Sequence, residues 1–168
     1  MDTRFWGPPG WKLLHSISSG YPTRPTEMQK DTYRIWFKTL PSVLPCIYCR
    51  RSLNQYYEEL PPDIYNAFEG CRPLSTWIYQ IHNRVNNKLR KQGLNEDPDP
   101  NLDTILKRYC GKERSKCLQG WDFLYAIALN YPDSYDLVTK NQEQNYYLFF
   151  SYLPKVMPHP KVSRQMFG

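Results

Sequence analysis

Two cysteines three positions apart, Cys46 and Cys49, follow Pro45 and precede Arg50 and Arg51. At the start of a helix, that spacing has chemical consequences. The first sulfur meets the partial positive charge of the helix N-terminus, which stabilises its thiolate. The two sulfurs can also close a disulfide within one turn. Two other readings stay open on these residues alone. One is half of a zinc site completed by Cys110 and Cys117, which would make the chain a zinc-stabilised helical interaction module. The other is a pair of inert buried thiols. A thioredoxin-like site needs a strand before the pair, and no strand is predicted there.

A second constellation lies downstream. His82 and Asn86 are four residues apart and Asn83 is one step round, so they share one polar edge of a helix whose other face is apolar. Trp11 and His15, also four apart, supply a second wall. Taken singly, each is a satisfied core polar group. Taken together with the cysteine pair, they favour a planar, hydrogen-bonding cofactor.

The elements that must carry these groups are helical nearly throughout. Trp11, Leu14 and Ile17 or Ser18 predict a first helix that begins after Pro8-Pro9-Gly10 and ends near Gly20. Thr26 and Gln29 form a capping box for a second, which Pro41 is expected to stop. A third runs from about Cys46 to Leu60, closed by Pro61-Pro62. Leu74, Trp77, Ile78, Ile81, Val85 and Leu89 mark the fourth, with Pro73 in its first turn and Gly93 at its C-terminus. Leu102 to Tyr109 predict a short fifth helix. Beyond Cys117, Trp121 to Leu129 predict a sixth, and Tyr146 to Leu153 a seventh ended by Pro154. The aromatic residues of these last two are expected in the core. The expected fold is all-α: a four-helix bundle plus a short fifth helix over residues 1–111, then an additional C-terminal helical region over 112–168.

Composition bounds the function classes. The 168 residues include 23% charged and 15% aromatic side chains, as in a packed globular protein. No apolar run is long enough to cross a membrane, and the N-terminus lacks the pattern of a signal peptide, so a cytoplasmic protein is expected. The net charge of +6 suits a phosphate-bearing partner, either a nucleic acid or a diphosphate cofactor, although such basic runs are often solvated helix faces. Five cysteines, an odd number, cannot form a fully paired framework.

Three segments in register resemble the Erv/ALR family of FAD-linked sulfhydryl oxidases. They are Trp6-Gly7-Pro8-Pro9-Gly10-Trp11-Lys12-Leu13-Leu14-His15, then Pro45-Cys46-Ile47-Tyr48-Cys49-Arg50, then Trp77 to Lys91 with its His82-Asn83-Arg84-Val85-Asn86 core. The resemblance covers roughly residues 5 to 95. It implies FAD bound by Gly7, Trp11, His15, Tyr21, Trp77, His82, Asn83, Val85, Asn86, Leu89 and Lys91, with Lys88, Arg90 and Lys91 near its diphosphate and ribose. It implies a catalytic pair, Cys46 and Cys49, that oxidises protein dithiols, passes the electrons through FAD to molecular oxygen and yields hydrogen peroxide. In that scheme a substrate thiolate attacks Cys46 and the flavin lies over Cys49. A homodimer formed through the first helices is also implied, with no nucleic acid, membrane or resident metal. The extended form resembles members encoded by large DNA viruses. For Cys110 and Cys117 a structural bridge is the first expectation, with a free or shuttle pair as the alternative, and Cys71 is expected as a buried or unpaired thiol.

Overall fold

A computed structural model describes residues 2–94, 97–110, 120–131 and 139–157. Every regular element among them is helical: α1 (Thr3–Ser19), α2 (Glu27–Val43), α3 (Ile47–Glu59), α4 (Cys71–Lys91), α5 (Leu102–Cys110), α6 (Trp121–Leu129) and α7 (Lys140–Val156), with a 3-10 turn at Ala67–Glu69. The all-α expectation holds. The side chain of Cys110 and the whole of Cys117 lie outside the described residues, and so does the expectation of a bridge between them.

Prolines mislead at three helix boundaries. α1 begins at Thr3 rather than after Gly10. Asp2 caps it by accepting from the Arg4 N–H at 2.9 Å, and Trp6 packs on the Phe123 ring with centroids 6.0 Å apart. Pro8 and Pro9 withhold N–H groups only from Arg4 and Phe5, two exposed residues within reach of water. α2 opens on the expected capping box at Thr26 and Gln29, but it runs through Pro41 to Val43. The carbonyl that Pro41 orphans belongs to Phe37, and the Tyr57 hydroxyl of α3 donates to it at 2.8 Å. α7 likewise passes Pro154 and ends at Val156.

That substitute hydrogen bond makes a testable energetic claim. Tyr57→Phe leaves the Phe37 carbonyl without a donor and is expected to destabilise the fold by about 1–3 kcal/mol. In a Pro41→Ala background the helix regains its own N–H, so the same change is expected to cost a fraction of that. Urea midpoints of the four proteins in this cycle check it, and equal costs in both backgrounds would refute the explanation.

α4 carries the most regular pattern. Leu74, Ile78 and Ile81 are fully buried along one face with Trp77. Its C-terminus closes on Gly93 at φ +70, with Leu94 N–H bonded to the Leu89 carbonyl and Gly93 N–H to that of Arg90. These two bonds make a Schellman cap, and only a residue tolerant of positive φ fits there.

α6 and α7 join the same core. α6 packs on α1, where Gly10 permits the approach: a Cβ there would stand 2.9 Å from the Phe123 ring. Gly120, at φ +113, leads into α6 and sits just as close against Leu13. α7 packs along α2, with Phe149 stacked on Trp36 at 5.2 Å. The expectation that the aromatic residues of both helices are core needs correcting. Phe123, Tyr146 and Phe149 are buried, but Trp121, Tyr125, Tyr131, Tyr147 and Phe150 are exposed. Both sides of α6 are apolar, and the small residues of α1 admit the side bearing Phe123 and Ile127.

Candidate functional site

Cys46 is the N-cap residue of α3, in extended conformation, and Cys49 lies in the first helical turn. Both thiols are half-buried. Burial pushes the Cys46 thiol up. The backbone N–H groups of Cys49 and Tyr48, the Cys49 thiol and the Arg50 guanidinium outweigh that and hold it below the ordinary thiol range. Arg50 is fixed in turn by its bond to the Leu44 carbonyl at 2.7 Å. Cys49 is pushed up to about 11, first by burial and then by the neighbouring Cys46, while Lys88 and Thr3 pull it down. Of the reduced pair, Cys46 is therefore the more acidic thiol and the one that ionises first.

Cys49 lies beside the packed α1 and α4 helices, near Thr3 of the first and Lys88 of the second. On α1, Thr3, Gly7, Trp11 and His15 recur every fourth residue along one face. At one end, Thr3 lies near Cys49 and helps to lower its thiol. At the other end the His15 Nε2 and His82 Nδ1 atoms are 3.0 Å apart, and the Trp11 indole stacks on the His82 imidazole at 3.9 Å with 9° between planes. Burial depresses both imidazoles, His15 to about 3 with His82 adding to the effect, and His82 to about 4 against the opposing pull of Asp99. Both are neutral at pH 7, so one donates an N–H and the other offers a lone pair. Between them, a Cβ at Gly7 would meet nothing nearer than the Thr3 methyl at 3.7 Å.

The wall on α4 is mixed. Val85 packs on the core. Lys88 reaches α3, where its Nζ lies 2.5 Å from Ser52 Oγ beside Cys49. The half-buried Asn83 amide has no hydrogen-bond partner among the described residues, and Leu89 is half-buried at the cap. Asn86 donates to Asp99 at 3.2 Å, and Arg90 bonds Asp99 and the Asp97 carbonyl. Lys91 is exposed at the end of the helix. This donor set fits a planar aromatic redox group carrying phosphates: indole and neutral imidazoles for a ring, an unengaged amide for hydrogen bonding, and ammonium groups for anionic oxygens.

Of the residues singled out in the sequence, the structure brings Trp11, His15 and His82 into contact and places Gly7, Asn83 and Val85 along the same two helices. Tyr21 and Trp77 lie elsewhere in the core. Tyr21 donates to the Phe68 carbonyl at 2.7 Å and Trp77 to that of Leu60 at 2.8 Å. Sequence reasoning missed Thr3, Ser52 and Asp99. Ser52 had a signal, three residues beyond Cys49 on the same helix face. Thr3 had none once α1 was taken to start after Gly10. Among the described residues, no group of three or more His, Cys, Asp or Glu side chains could hold a metal ion, and no helix is long and apolar enough to cross a membrane.

A family model, the Erv1/Alr family, matches residues 9–109. The chain is 30% identical over 121 residues to the mitochondrial FAD-linked sulfhydryl oxidase ERV1 of Saccharomyces cerevisiae, a match over 72% of this chain that spans only 54% of that relative's length. It is 29% identical over 104 residues to an FAD-linked sulfhydryl oxidase of African swine fever virus, covering 61% of this chain and 84% of the viral one. Among solved structures, the FAD-binding domain of Erv1 from Saccharomyces cerevisiae superposes with a TM-score of 0.54 at 32% identity, covering 66% of this chain and 95% of that one.

Proposed function

The chain belongs to the Erv1/Alr family, and from that premise we propose that it is an FAD-linked sulfhydryl oxidase that makes disulfides in protein substrates through Cys46 and Cys49. The observation that carries the reading is the placement of a dithiol, with its more acidic thiol on Cys46, against the α1 and α4 helices that bear Trp11, His15 and His82. When bound there, FAD supplies a two-electron acceptor for the Cys46–Cys49 dithiol and an outlet to molecular oxygen, with hydrogen peroxide as product. Trp11, His15, Asn83 and His82 would hold it, with Lys88 and Lys91 toward its phosphates.

The chain's own residues divide the thiol chemistry. A substrate thiolate attacks Cys46 Sγ of the oxidised pair, the S–S bond breaks, and Cys49 leaves as a thiolate while a substrate–Cys46 disulfide forms. Two of the influences that raise Cys49 come from Cys46 itself. The charge on Cys46 is gone in the mixed disulfide, and Lys88 then favours the Cys49 thiolate. A second substrate thiol attacks the substrate sulfur, forms the product disulfide and expels Cys46. Its low thiol pKa makes Cys46 a good leaving group at that step.

We assign residues 1–111, which contain the stretch matched by the family model, to the oxidase unit and 112–168 to a helical extension. In a homodimer, the contact must use faces of α1 and α2 that α6 and α7 leave free.

A visible absorption spectrum of the purified protein, followed by oxygen uptake with dithiothreitol, tests the proposal. Flavin absorption and one dioxygen consumed per dithiol oxidised are expected. A protein that stays colourless after refolding with FAD and takes up no oxygen would end it.

A further inference from the structure

The extension presents a groove that the chemistry above does not use. A cavity of about 610 Å³ lies between α6 and α7, lined by Ala128, Tyr131, Tyr146, Tyr147 and Phe150, with Glu143 as its charged lining residue. An apolar stripe on α6 adjoins it: Trp121, Tyr125 and Leu129 recur every fourth residue and are 63%, 57% and 55% exposed. Tyr147, on α7, is 71% exposed. Aromatic surface of this extent is uncommon on a face that meets only water.

The position of the groove identifies what fills it. α6 runs antiparallel to α1: Gly120 meets Leu13, whereas Phe123 meets Gly10 and Trp6. The C-terminal end of α6 therefore lies toward Thr3, which lies near Cys49. α7 runs antiparallel to α2: Phe149 stacks on Trp36, and Gln142 donates to the Ser42 carbonyl at 3.3 Å. The N-terminal end of α7 therefore lies beside the turn that carries Cys46. Arg50 is within electrostatic reach of both Tyr146, in the groove, and Cys46. Two independent packings thus bring the same end of the groove to the redox pair. At the pair itself, Ile47 and Tyr48 are exposed.

We propose that the α6–α7 groove binds an apolar, aromatic-bearing segment of a reduced polypeptide substrate and so delivers a cysteine further along that segment to Cys46. The inference rests on the thiol-oxidase reading and names how its protein substrate is recognised. A second copy of the chain seated in the groove would crowd the end at which substrate must enter. Glu143 adds a preference for lysine or arginine within the bound segment.

The test compares a small dithiol with a polypeptide. Flavin-loaded wild type and the variants Tyr147→Ser and Leu129→Ser, both at exposed positions, are assayed by oxygen uptake with dithiothreitol and with reduced, unfolded ribonuclease A. Each variant is expected to raise KM for ribonuclease about tenfold while the dithiothreitol parameters stay unchanged. A cysteine-free peptide rich in tyrosine and lysine is expected to inhibit the ribonuclease reaction alone. Unchanged KM for ribonuclease in both variants overturns the groove assignment. The same holds if the variants only dissociate a dimer, as read by sedimentation, without altering ribonuclease kinetics. Wild type that fails to oxidise dithiothreitol is a different result: it removes the oxidase reading itself.

Discussion

Cys46→Ser and Cys49→Ser are each expected to reduce thiol oxidation by a factor on the order of a thousand or more, with the helical fold and the flavin site retained. The size follows from the step removed. A disulfide needs two sulfurs, and no other described cysteine stands beside either one; Cys71 lies on another part of the fold, donating to the Ser19 carbonyl at 3.2 Å. The two variants are not equivalent, and alkylation with iodoacetamide separates them. In the reduced wild type, Cys46 is expected to react first and to stay reactive below the ordinary thiol range, since the neighbouring N–H groups and Arg50 stabilise its thiolate. Cys49 is expected to resist until the pH approaches about 11. Removing Cys46 takes away the hydrogen bond and charge that raise Cys49, so in Cys46→Ser the alkylation midpoint of Cys49 is expected to fall. Removing Cys49 with alanine takes a donor from Cys46, whose midpoint is expected to rise. Turnover within tenfold of wild type in either serine variant, or Cys49 alkylated ahead of Cys46, would contradict the assigned roles.

How far these roles were legible in the sequence depends on the range of the interaction concerned. The Cys46–Cys49 pair and its place at a helix start are local facts. So are the capping box at Thr26 and the glycine cap at Gly93, and all of them read correctly. The helix end assigned to Pro41 failed because the compensation is tertiary. Nothing near Pro41 announces that the Tyr57 hydroxyl will take the place of its missing N–H. Trp121, Tyr125 and Leu129 repeat every four residues as a core stripe does, yet they face outward, because α6 offers apolar residues on both sides and Gly10 admits Phe123. Trp11, His15 and His82 could be picked out as types at a spacing. The stack of Trp11 on His82 is a tertiary contact between two helices, and the place of Thr3 beside Cys49 required knowing that α1 starts before its prolines.

The buried imidazole pair makes stability fall in acid, and the direction can be worked out. Folded His15 and His82 protonate only near about 3 and about 4, whereas in the unfolded chain a histidine takes its proton near about 6.5. As pH drops below about 6.5 the unfolded state binds protons that the folded state refuses, so stability is flat above that value and declines from there toward pH 4 and beyond. Each histidine contributes a slope of up to about 1.4 kcal/mol per pH unit, which amounts to roughly 2–4 kcal/mol lost for the pair between pH 6.5 and 5. Carboxylates add little in that interval, because their ordinary pKa values lie near 4 and below. Urea midpoints of the flavin-free protein at pH 7, 6 and 5 measure the decline. His82→Gln is expected to lower stability at pH 7, where the stack on Trp11 and the bond to His15 are lost, and to make the decline below pH 6.5 shallower by about half. A midpoint that does not move between pH 7 and 5 would mean that the two imidazoles are not held neutral against each other. The proposed flavin site would then lack the ordered Trp11–His15–His82 contact on which its fit depends.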